Sequence, residues 1–204
     1  SMRMFIAIYA AWSINSPLNI GVRHLVPIMP FMYILSTQAV KKWTQSNFFK
    51  KKLKVGLVAI LTIWFFADVA LAYPFYLSYY NEFVGTENGW QYITDSNYDW
   101  GQDLLRLRDY VNENNIDRIA VAYFGAGNPQ YYMPGVAENW YSAKGNPLES
   151  DIEWLAVSVN QIQGATQPKV DALYRAPEDE FQWLTNPYDP YAVAGTSIFI
   201  YKLR

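Results

Sequence analysis

The stretch VGLVAILTIWFFADVALAYPFYL, residues 55–77, decides how this chain is organised. It contains 23 residues and a single ionisable side chain, Asp68. A helix of that length extends about 34 Å, which is enough to cross a hydrocarbon core of about 30 Å. The sequence therefore predicts a transmembrane helix here.

Two further apolar segments precede this stretch. Residues 25–40, LVPIMPFMYILSTQAV, contain Pro27 and Pro30, which membrane helices tolerate where neighbouring helices satisfy the freed carbonyl groups. They predict a second span over about residues 24–40. Residues 4–12, MFIAIYAAW, are too short to cross alone and are expected to be the end of a helix that starts upstream. We therefore expect a C-terminal part of a longer multi-pass protein whose N-terminal transmembrane part is missing.

The segment between the two predicted spans is strongly basic. Residues 41–54, KKWTQSNFFKKKLK, contain six lysines and no acid. Positively charged residues in short loops remain on the cytoplasmic side of a membrane. The chain after about residue 78 is therefore predicted to be extracytoplasmic. A basic patch on a soluble protein is the alternative, although it leaves the long apolar stretch unexplained.

Charge divides the chain into two parts. Residues 1–81 carry eight Lys and Arg against one acid, whereas residues 82–204 carry eight against seventeen, so the formal charges are +7 and −9. This contrast indicates a membrane part over residues 1–81 and a soluble domain over residues 82–204. Hydropathy favours a lipid bilayer over nucleic acid as the partner of the basic part. With no cysteine and one histidine, His24, no zinc site of the usual kind is expected.

Residues 82–204 have the pattern of a small α/β domain, because short apolar or alternating runs are separated by Gly, Pro and Asn. Strands are predicted at WQYIT (90–94), RIAVAYFG (118–125), EWLAVSVN (153–160) and TSIFIYKL (196–203). A strand–helix–strand arrangement is the natural one. The predicted fold class is thus an α-helical transmembrane segment followed by a small extracytoplasmic α/β domain.

A helix is predicted over residues 103–115, DLLRLRDYVNENN. Its apolar face is expected to contain Leu104, Leu105, Leu107 and Val111. Residues 128–151 have no clear periodicity and are predicted to form a long structured loop.

The motif TDSNYDWGQD, residues 94–103, has two local interpretations. Asp95, Asn97 and Asp99 match positions 1, 3 and 5 of a calcium loop, but Trp100 and Arg106 replace the required glycine and glutamate. The spacing of Asp99 and Gln102 instead matches a capping box, with Asp99 as the N-cap of the following helix. Asp103 in the first turn would then interact favourably with the helix dipole. The spacing favours capping, and no metal site is expected.

A third interpretation concerns the residues of this motif that take no part in the predicted capping box. Asp95, Asn97 and Trp100 are candidate sugar or acceptor contacts, since an indole ring stacks on the apolar face of a sugar while side-chain oxygens accept from its hydroxyl groups. The competing interpretation is that Trp100 packs into the domain or against the membrane surface.

The membrane part offers a second candidate site. Arg23 and His24 begin a predicted span at its extracytoplasmic end, where a guanidinium group can bind the phosphate of an isoprenoid lipid. Asp68 is the only acid within a predicted span, and intramembrane acids usually find a partner. An ion pair of Asp68 with Arg23 or His24 is therefore an equal alternative. The aromatic residues of 73–83 are expected at the lipid headgroups.

Six segments together resemble a known class of proteins. They are NIGVRHLVPIMPF (19–31), YLSYYNE (76–82), DSNYDWGQDL (95–104), AYFG (122–125), LAVSVNQIQG (155–164) and GTSIFIYKL (195–203). In this order they resemble the C-terminal part of bacterial polytopic glycosyltransferases of the protein O-mannosyltransferase-like, phospholipid-carrier-dependent class.

The resemblance implies a multi-pass plasma-membrane enzyme that takes a sugar from a polyisoprenyl-phosphate donor. It would transfer the sugar to an extracytoplasmic glycan or protein acceptor, without a cofactor. The catalytic acid of such enzymes lies in the first extracytoplasmic loop, and nothing in this chain corresponds to that loop, so the chain alone is expected to be inactive. The alternative is a non-catalytic, membrane-anchored module that binds a sugar or a protein.

Overall fold

The chain forms two units, Ser1–Pro74 and Phe75–Arg204, which are described separately below. In the sequence, the predicted boundary follows residue 81. The computed structural model describes residues 1–15, 21–46, 50–93, 97–166, 181–185 and 189–204.

The first unit is helical. Its helices are α1 (Met2–Ile14), α2 (Met29–Gln45) and α3 (Lys51–Leu71), and a 3-10 helix covers Gly21–Leu25. Among the described residues, α3 is the one helix long and apolar enough to cross a membrane, and α1 is a shorter apolar helix. The helix predicted over residues 55–77 is therefore present, but it begins and ends several residues earlier.

Most of the apolar surface of α3 is not buried within its own unit. Exposed apolar side chains lie on all sides of the helix, including Leu57, Ile60, Leu61, Ile63 and Phe66. A helix that is apolar all round belongs in the core of a large protein or in a membrane. Since this surface is open, α3 differs from the buried core helix of a soluble domain.

The second predicted span, residues 24–40, differs from the structure. The chain passes through the 3-10 helix and a turn, and α2 begins only at Met29 with Pro30 in its first turn. Proline lacks an N–H donor and fits the first turn of a helix better than its interior. The predicted lysine loop over residues 41–54 is also shorter, because its two ends belong to α2 and α3.

The second unit is built on a mixed sheet, which confirms the predicted α/β character. Among the described residues its strands have the order β2-β1-β3-β5-β4. The strands β1, β2 and β3 are parallel, whereas β5 runs antiparallel to both β3 and β4. Their bounds are β1 Ile119–Ala122, β2 Ala137–Asn139, β3 Trp154–Ser158, β4 Ala192–Ala194 and β5 Ile198–Lys202.

Both faces of the sheet are covered. Leu155 and Val157 of β3 belong to one apolar cluster, and Ala156 between them belongs to the other. Strands buried on both faces appear in sequence as near-continuous apolar runs, which is why β1, β3 and β5 were predictable. The other helices of this unit are α4 (Leu104–Glu113), α5 (Pro129–Tyr132), α6 (Val159–Thr166) and α7 (Gln182–Thr185).

Three local predictions need correction. Residue 94 of the predicted strand over residues 90–94 lies outside the described residues, and the remainder contains the end of a 3-10 helix, Gly89–Gln91. Trp90 packs edge-on against Phe199. Helix α4 buries Leu104, Leu107 and Val111 as predicted, but Leu105 is exposed because it lies beside that stripe. The predicted loop over residues 128–151 contains both α5 and β2.

Candidate functional site

The candidate site lies at the carboxyl edge of the parallel strands. Strands β1 and β3 end side by side there, and the antiparallel β5 begins at the same edge, where Ser158 is paired with Ile198. Residues 97–103 run along this edge, since the Tyr123 hydroxyl donates to Gly101 O at 2.7 Å. Open α/β sheets bind ligands outside the carboxyl ends of their strands. This edge is therefore where a ligand site is expected.

Asp103 joins the start of α4 to the turn before β5. Its carboxylate is fully buried. Oδ2 accepts from the backbone N–H groups of Thr196 and Ser197, at 2.9 and 3.0 Å, and lies 3.0 Å from the Ser197 hydroxyl. Oδ1 accepts from the guanidinium group of Arg106, which lies over the ring of Phe75. The negative charge is thus balanced by one cation and by several donors.

Asp99 is equally buried but less well satisfied. Its Oδ1 accepts from Gly101 N–H at 2.7 Å and lies 3.2 Å from the Ser197 hydroxyl, whereas Oδ2 has no hydrogen-bond partner among the described residues. The Ser197 hydroxyl has one proton, so it donates to Asp99 or to Asp103 and not to both.

The surroundings of Asp99 change its protonation. Burial raises the pKa of this carboxyl from 3.8 to about 6. Hydrogen bonds from Gly101 and Ser197 and the nearby Ser158 hydroxyl oppose the rise, and the negative charge of Asp103 adds to it. A proton on the unpartnered Oδ2 removes a buried charge, which explains why the pKa of Asp99 is raised.

The capping-box prediction for Asp99 and Gln102 is wrong. Helix α4 begins at Leu104, and the Asp103 side chain at its N-cap position makes no capping hydrogen bond. Asp99 instead closes a turn by accepting from Gly101 N–H, and Gln102 accepts from Trp100 N–H while donating to Tyr98 O. Gly101 has φ +78°, which is incompatible with a helix beginning at residue 100.

The turn leaves Trp100 at the surface. The side chain of Trp100 is 59% exposed, although those of Tyr98, Asp99 and Asp103 are buried. Glycine is required next to it, because a Cβ on Gly101 would overlap the ring of Tyr123. Trp100 therefore does not pack into the domain. Stacking of the exposed indole ring on a ligand and its packing against the membrane surface both stay predictions.

The other predicted contact residues near Trp100 are less accessible or lie outside the described part. Asn97 is half-buried and engaged by other groups. Asp95 lies outside the described residues. Sugar binding by Asp95, Asn97 and Trp100 stays a prediction.

Arg23, His24 and Asp68 lie in the first unit. Arg23 is exposed and His24 is half-buried, and both lie in the 3-10 helix Gly21–Leu25. The His24 Nε2 atom is buried and has no hydrogen-bond partner within the described part of the chain. Asp68 is half-buried in α3, and both it and Arg23 are engaged by other groups. Phosphate binding by Arg23 and His24 stays a prediction.

Segments that are far apart in the sequence meet around the two carboxylates. Ser78 accepts from the Thr196 hydroxyl at 2.7 Å, and Ser158 accepts from Phe124 N–H at 3.0 Å. Asn160 Nδ2 donates to Asp99 O at 3.4 Å. Five of the six segments quoted above, residues 76–82, 95–104, 122–125, 155–164 and 195–203, therefore contribute to one cluster.

Sequence reasoning missed the hydroxyl side chains of this cluster. The Tyr98 hydroxyl donates to Thr86 O at 2.6 Å and lies 3.2 Å from Thr196 O, and burial raises its pKa above the ordinary value. The available signal was the pair Thr196–Ser197 directly before an apolar strand, since that position lies at the edge of a sheet.

In the described ranges, no three His, Cys, Asp or Glu side chains form a group that could hold a metal ion. Comparison of the chain with protein-family models, with curated proteins and with solved structures finds no match in any of the three.

Proposed function

We propose that this chain is the C-terminal portion of an integral-membrane glycosyltransferase that uses a polyisoprenyl-phosphate-linked sugar and transfers it to an extracytoplasmic acceptor. The observation that carries the proposal is the meeting of five resembling segments around Asp99 and Asp103. Three of these segments meet because they contain or follow paired strands, whereas residues 76–82 and 95–104 join them through side-chain hydrogen bonds of Ser78, Asp99 and Asp103.

The open apolar surface of α3 supports the membrane part of the proposal. Twenty-one residues extend about 32 Å, which matches the hydrocarbon core of a bilayer. In water, the exposed Phe65, Phe66 and Trp64 would form a large apolar patch of the kind that marks membrane or protein contacts. Lipid, together with the remaining transmembrane helices of the proposed enzyme, would cover this surface.

Burial limits what the carboxylates can do. Neither Asp99 nor Asp103 is accessible to a substrate. Asp99 shapes the turn that presents Trp100, and Asp103 joins the start of α4 to the turn before β5. We therefore assign sugar or acceptor contact to the surface of this edge and the bond-breaking chemistry to another part of the enzyme. Arg23 and His24 remain our candidates for binding the lipid phosphate.

The same burial favours a second candidate function. A membrane-anchored module that binds a sugar or a protein without catalysis would also need no exposed acid in this cluster. Under that alternative Trp100 would contribute to binding alone, and the complete protein would transfer no sugar.

The distinguishing experiment is a transfer assay on the complete protein in detergent with a panel of polyisoprenyl-phosphate sugars. We expect turnover with one donor and about a tenfold loss in Trp100→Ala, because the stacking surface is removed. The melting temperature should remain that of the wild type, since the indole ring is exposed.

The matched control is Tyr191→Ala, which removes an aromatic ring that is 63% exposed near the start of β4. Tyr191 contacts Trp154 at the amino end of β3, the opposite edge of the sheet. This variant should transfer at the wild-type rate. Absence of turnover with every donor would favour the non-catalytic module, and equal losses in both variants would remove Trp100 from the site.

A further inference from the structure

One lysine of the first unit is completely buried. Lys54, in the first turns of α3, has no exposed surface. Its ammonium group donates to Trp43 O at 2.6 Å, to Ser46 Oγ at 2.8 Å and to Ser46 O, and it lies 5.6 Å from the centre of the Trp43 ring. All three of its protons are therefore used.

These bonds join the end of one helix to the start of the next. Trp43 and Ser46 lie at the C-terminal end of α2, where the last carbonyl groups have no partner in the helix and carry partial negative charge. A buried ammonium group is costly unless it is fully hydrogen-bonded, and these carbonyl groups meet that need. Lys54 thus fastens the end of α2 to the beginning of α3.

These hydrogen bonds place the remaining lysines of residues 41–54 at one end of the pair formed by α2 and α3. They are all exposed, and they are Lys41, Lys42, Lys50, Lys51 and Lys52. We call these five residues the lysine cluster. Residues 41–54 contain no acid, and the one acid of residues 1–81 is Asp68, far along α3. Within residues 1–81, no acid adjoins the cluster in sequence to offset its positive charge.

The surface next to the cluster is apolar. Leu53, Val55 and Leu57 follow the lysines along α3, and all three side chains are exposed. A surface that changes from ammonium groups to hydrocarbon within one or two helical turns matches the boundary between lipid headgroups and acyl chains. Nucleic acid or a soluble polyanion would leave the apolar side uncovered.

We propose that the lysine cluster binds the anionic headgroups of phospholipids in the leaflet where α3 begins. Groups of four to eight basic residues beside a membrane helix are attracted to anionic lipid. The inference rests on the proposed insertion of α3, and it adds a lipid preference that insertion alone does not require. The charge of Lys54 is buried, so Lys54 does not bind headgroups itself. It positions the lysine cluster by holding the end of α2 against the start of α3.

The test uses the full chain in mixed micelles of phosphatidylcholine and phosphatidylglycerol, with retained lipids counted by native mass spectrometry. The wild type is expected to retain phosphatidylglycerol preferentially. Changing all five lysines of the cluster to glutamine should lower that preference about tenfold or more. High salt should lower it as well, because the Debye length shrinks to about 3 Å near 1 M.

Two matched double variants test whether the lipid preference depends on the lysine cluster or on positive charge elsewhere in the chain. Lys41→Gln with Lys42→Gln should lower the preference, whereas Lys144→Gln with Lys202→Gln, two exposed lysines of the second unit, should leave it unchanged. Equal retention of both lipids by the wild type, or equal effects of the two pairs, would overturn the inference.

Reconstitution into vesicles distinguishes the absence of an anionic-lipid site from the absence of a membrane anchor. The full chain is also reconstituted into vesicles of phosphatidylcholine alone. Insertion there without any preference in mixed micelles would overturn only the lipid site. A chain that stays in solution with no lipid bound would overturn both the lipid site and the membrane anchor.

Discussion

Replacing Asp103 with alanine is expected to destabilise the second unit by about 3–5 kcal/mol. The change leaves the buried N–H groups of Thr196 and Ser197 without an acceptor and removes the partner of Arg106. Each unsatisfied buried donor costs about 1–3 kcal/mol. Because whole domains are stable by only about 5–15 kcal/mol, this loss is a large fraction of the total.

The measurement is thermal unfolding of the full chain in detergent, followed by tryptophan fluorescence. We expect the transition of the second unit to fall by about 10–20 °C. Asp103→Asn should lose much less, since the amide oxygen still accepts from Thr196 and Ser197. Asp109→Ala removes an exposed acid of the same helix and should change stability by no more than about 0.5 kcal/mol. An Asp103→Ala variant that melts with the wild type would contradict the assigned role.

The second large effect is a dependence of stability on pH that comes from Asp99. Its pKa is about 6 in the folded protein and about 3.8 when exposed. Between these values the folded state keeps a proton that the unfolded state has lost, so folding becomes less favourable as pH rises. The contribution of Asp99 is complete below about pH 4 and is lost above about pH 6, a change of about 3 kcal/mol.

Asp99→Asn isolates this contribution, because the amide is neutral at every pH and resembles the protonated acid in shape. Chemical denaturation of both proteins from about pH 4 to about pH 7 should show the wild type losing stability relative to the variant as pH rises. Other carboxyl groups affect both proteins alike, so the difference between the two curves reports Asp99. Parallel curves would show that the buried carboxyl ionises at its ordinary pKa.

Short sequence patterns predicted those helices and strands whose formation depends mainly on neighbouring residues. Strands β1, β3 and β5 are apolar on both faces, and α3 is largely apolar after its first four residues, so each is visible in a short window of sequence. Strand β2 has three residues of which only Ala137 is buried, and no window of that length carries a periodic signal. The two prolines near the start of α2 permitted a longer span than the one that forms.

The candidate site was harder to predict because its partners are distant in sequence. The spacing of Asp99 and Gln102 fits a capping box, and only the positive φ of Gly101 shows that no helix begins there. The groups that Asp103 binds, at residues 196 and 197, lie more than ninety positions away. Trp100 is exposed in a local turn that is held to the domain by Tyr123, a contact 22 positions away, so the sequence did not predict its packing.

We propose that α3 crosses a membrane, with the lysine cluster on the cytoplasmic side and the α/β unit outside. The chain has no cysteine, so single cysteines can be introduced at Gln45, at the exposed end of α2, and at Asp151, on the surface of the second unit. Labelling of intact spheroplasts with a membrane-impermeant maleimide tests the claim directly. We predict labelling of Asp151→Cys in intact spheroplasts and of Gln45→Cys only after permeabilisation. Protection of Asp151→Cys until permeabilisation, or equal labelling of both positions before it, would contradict the account.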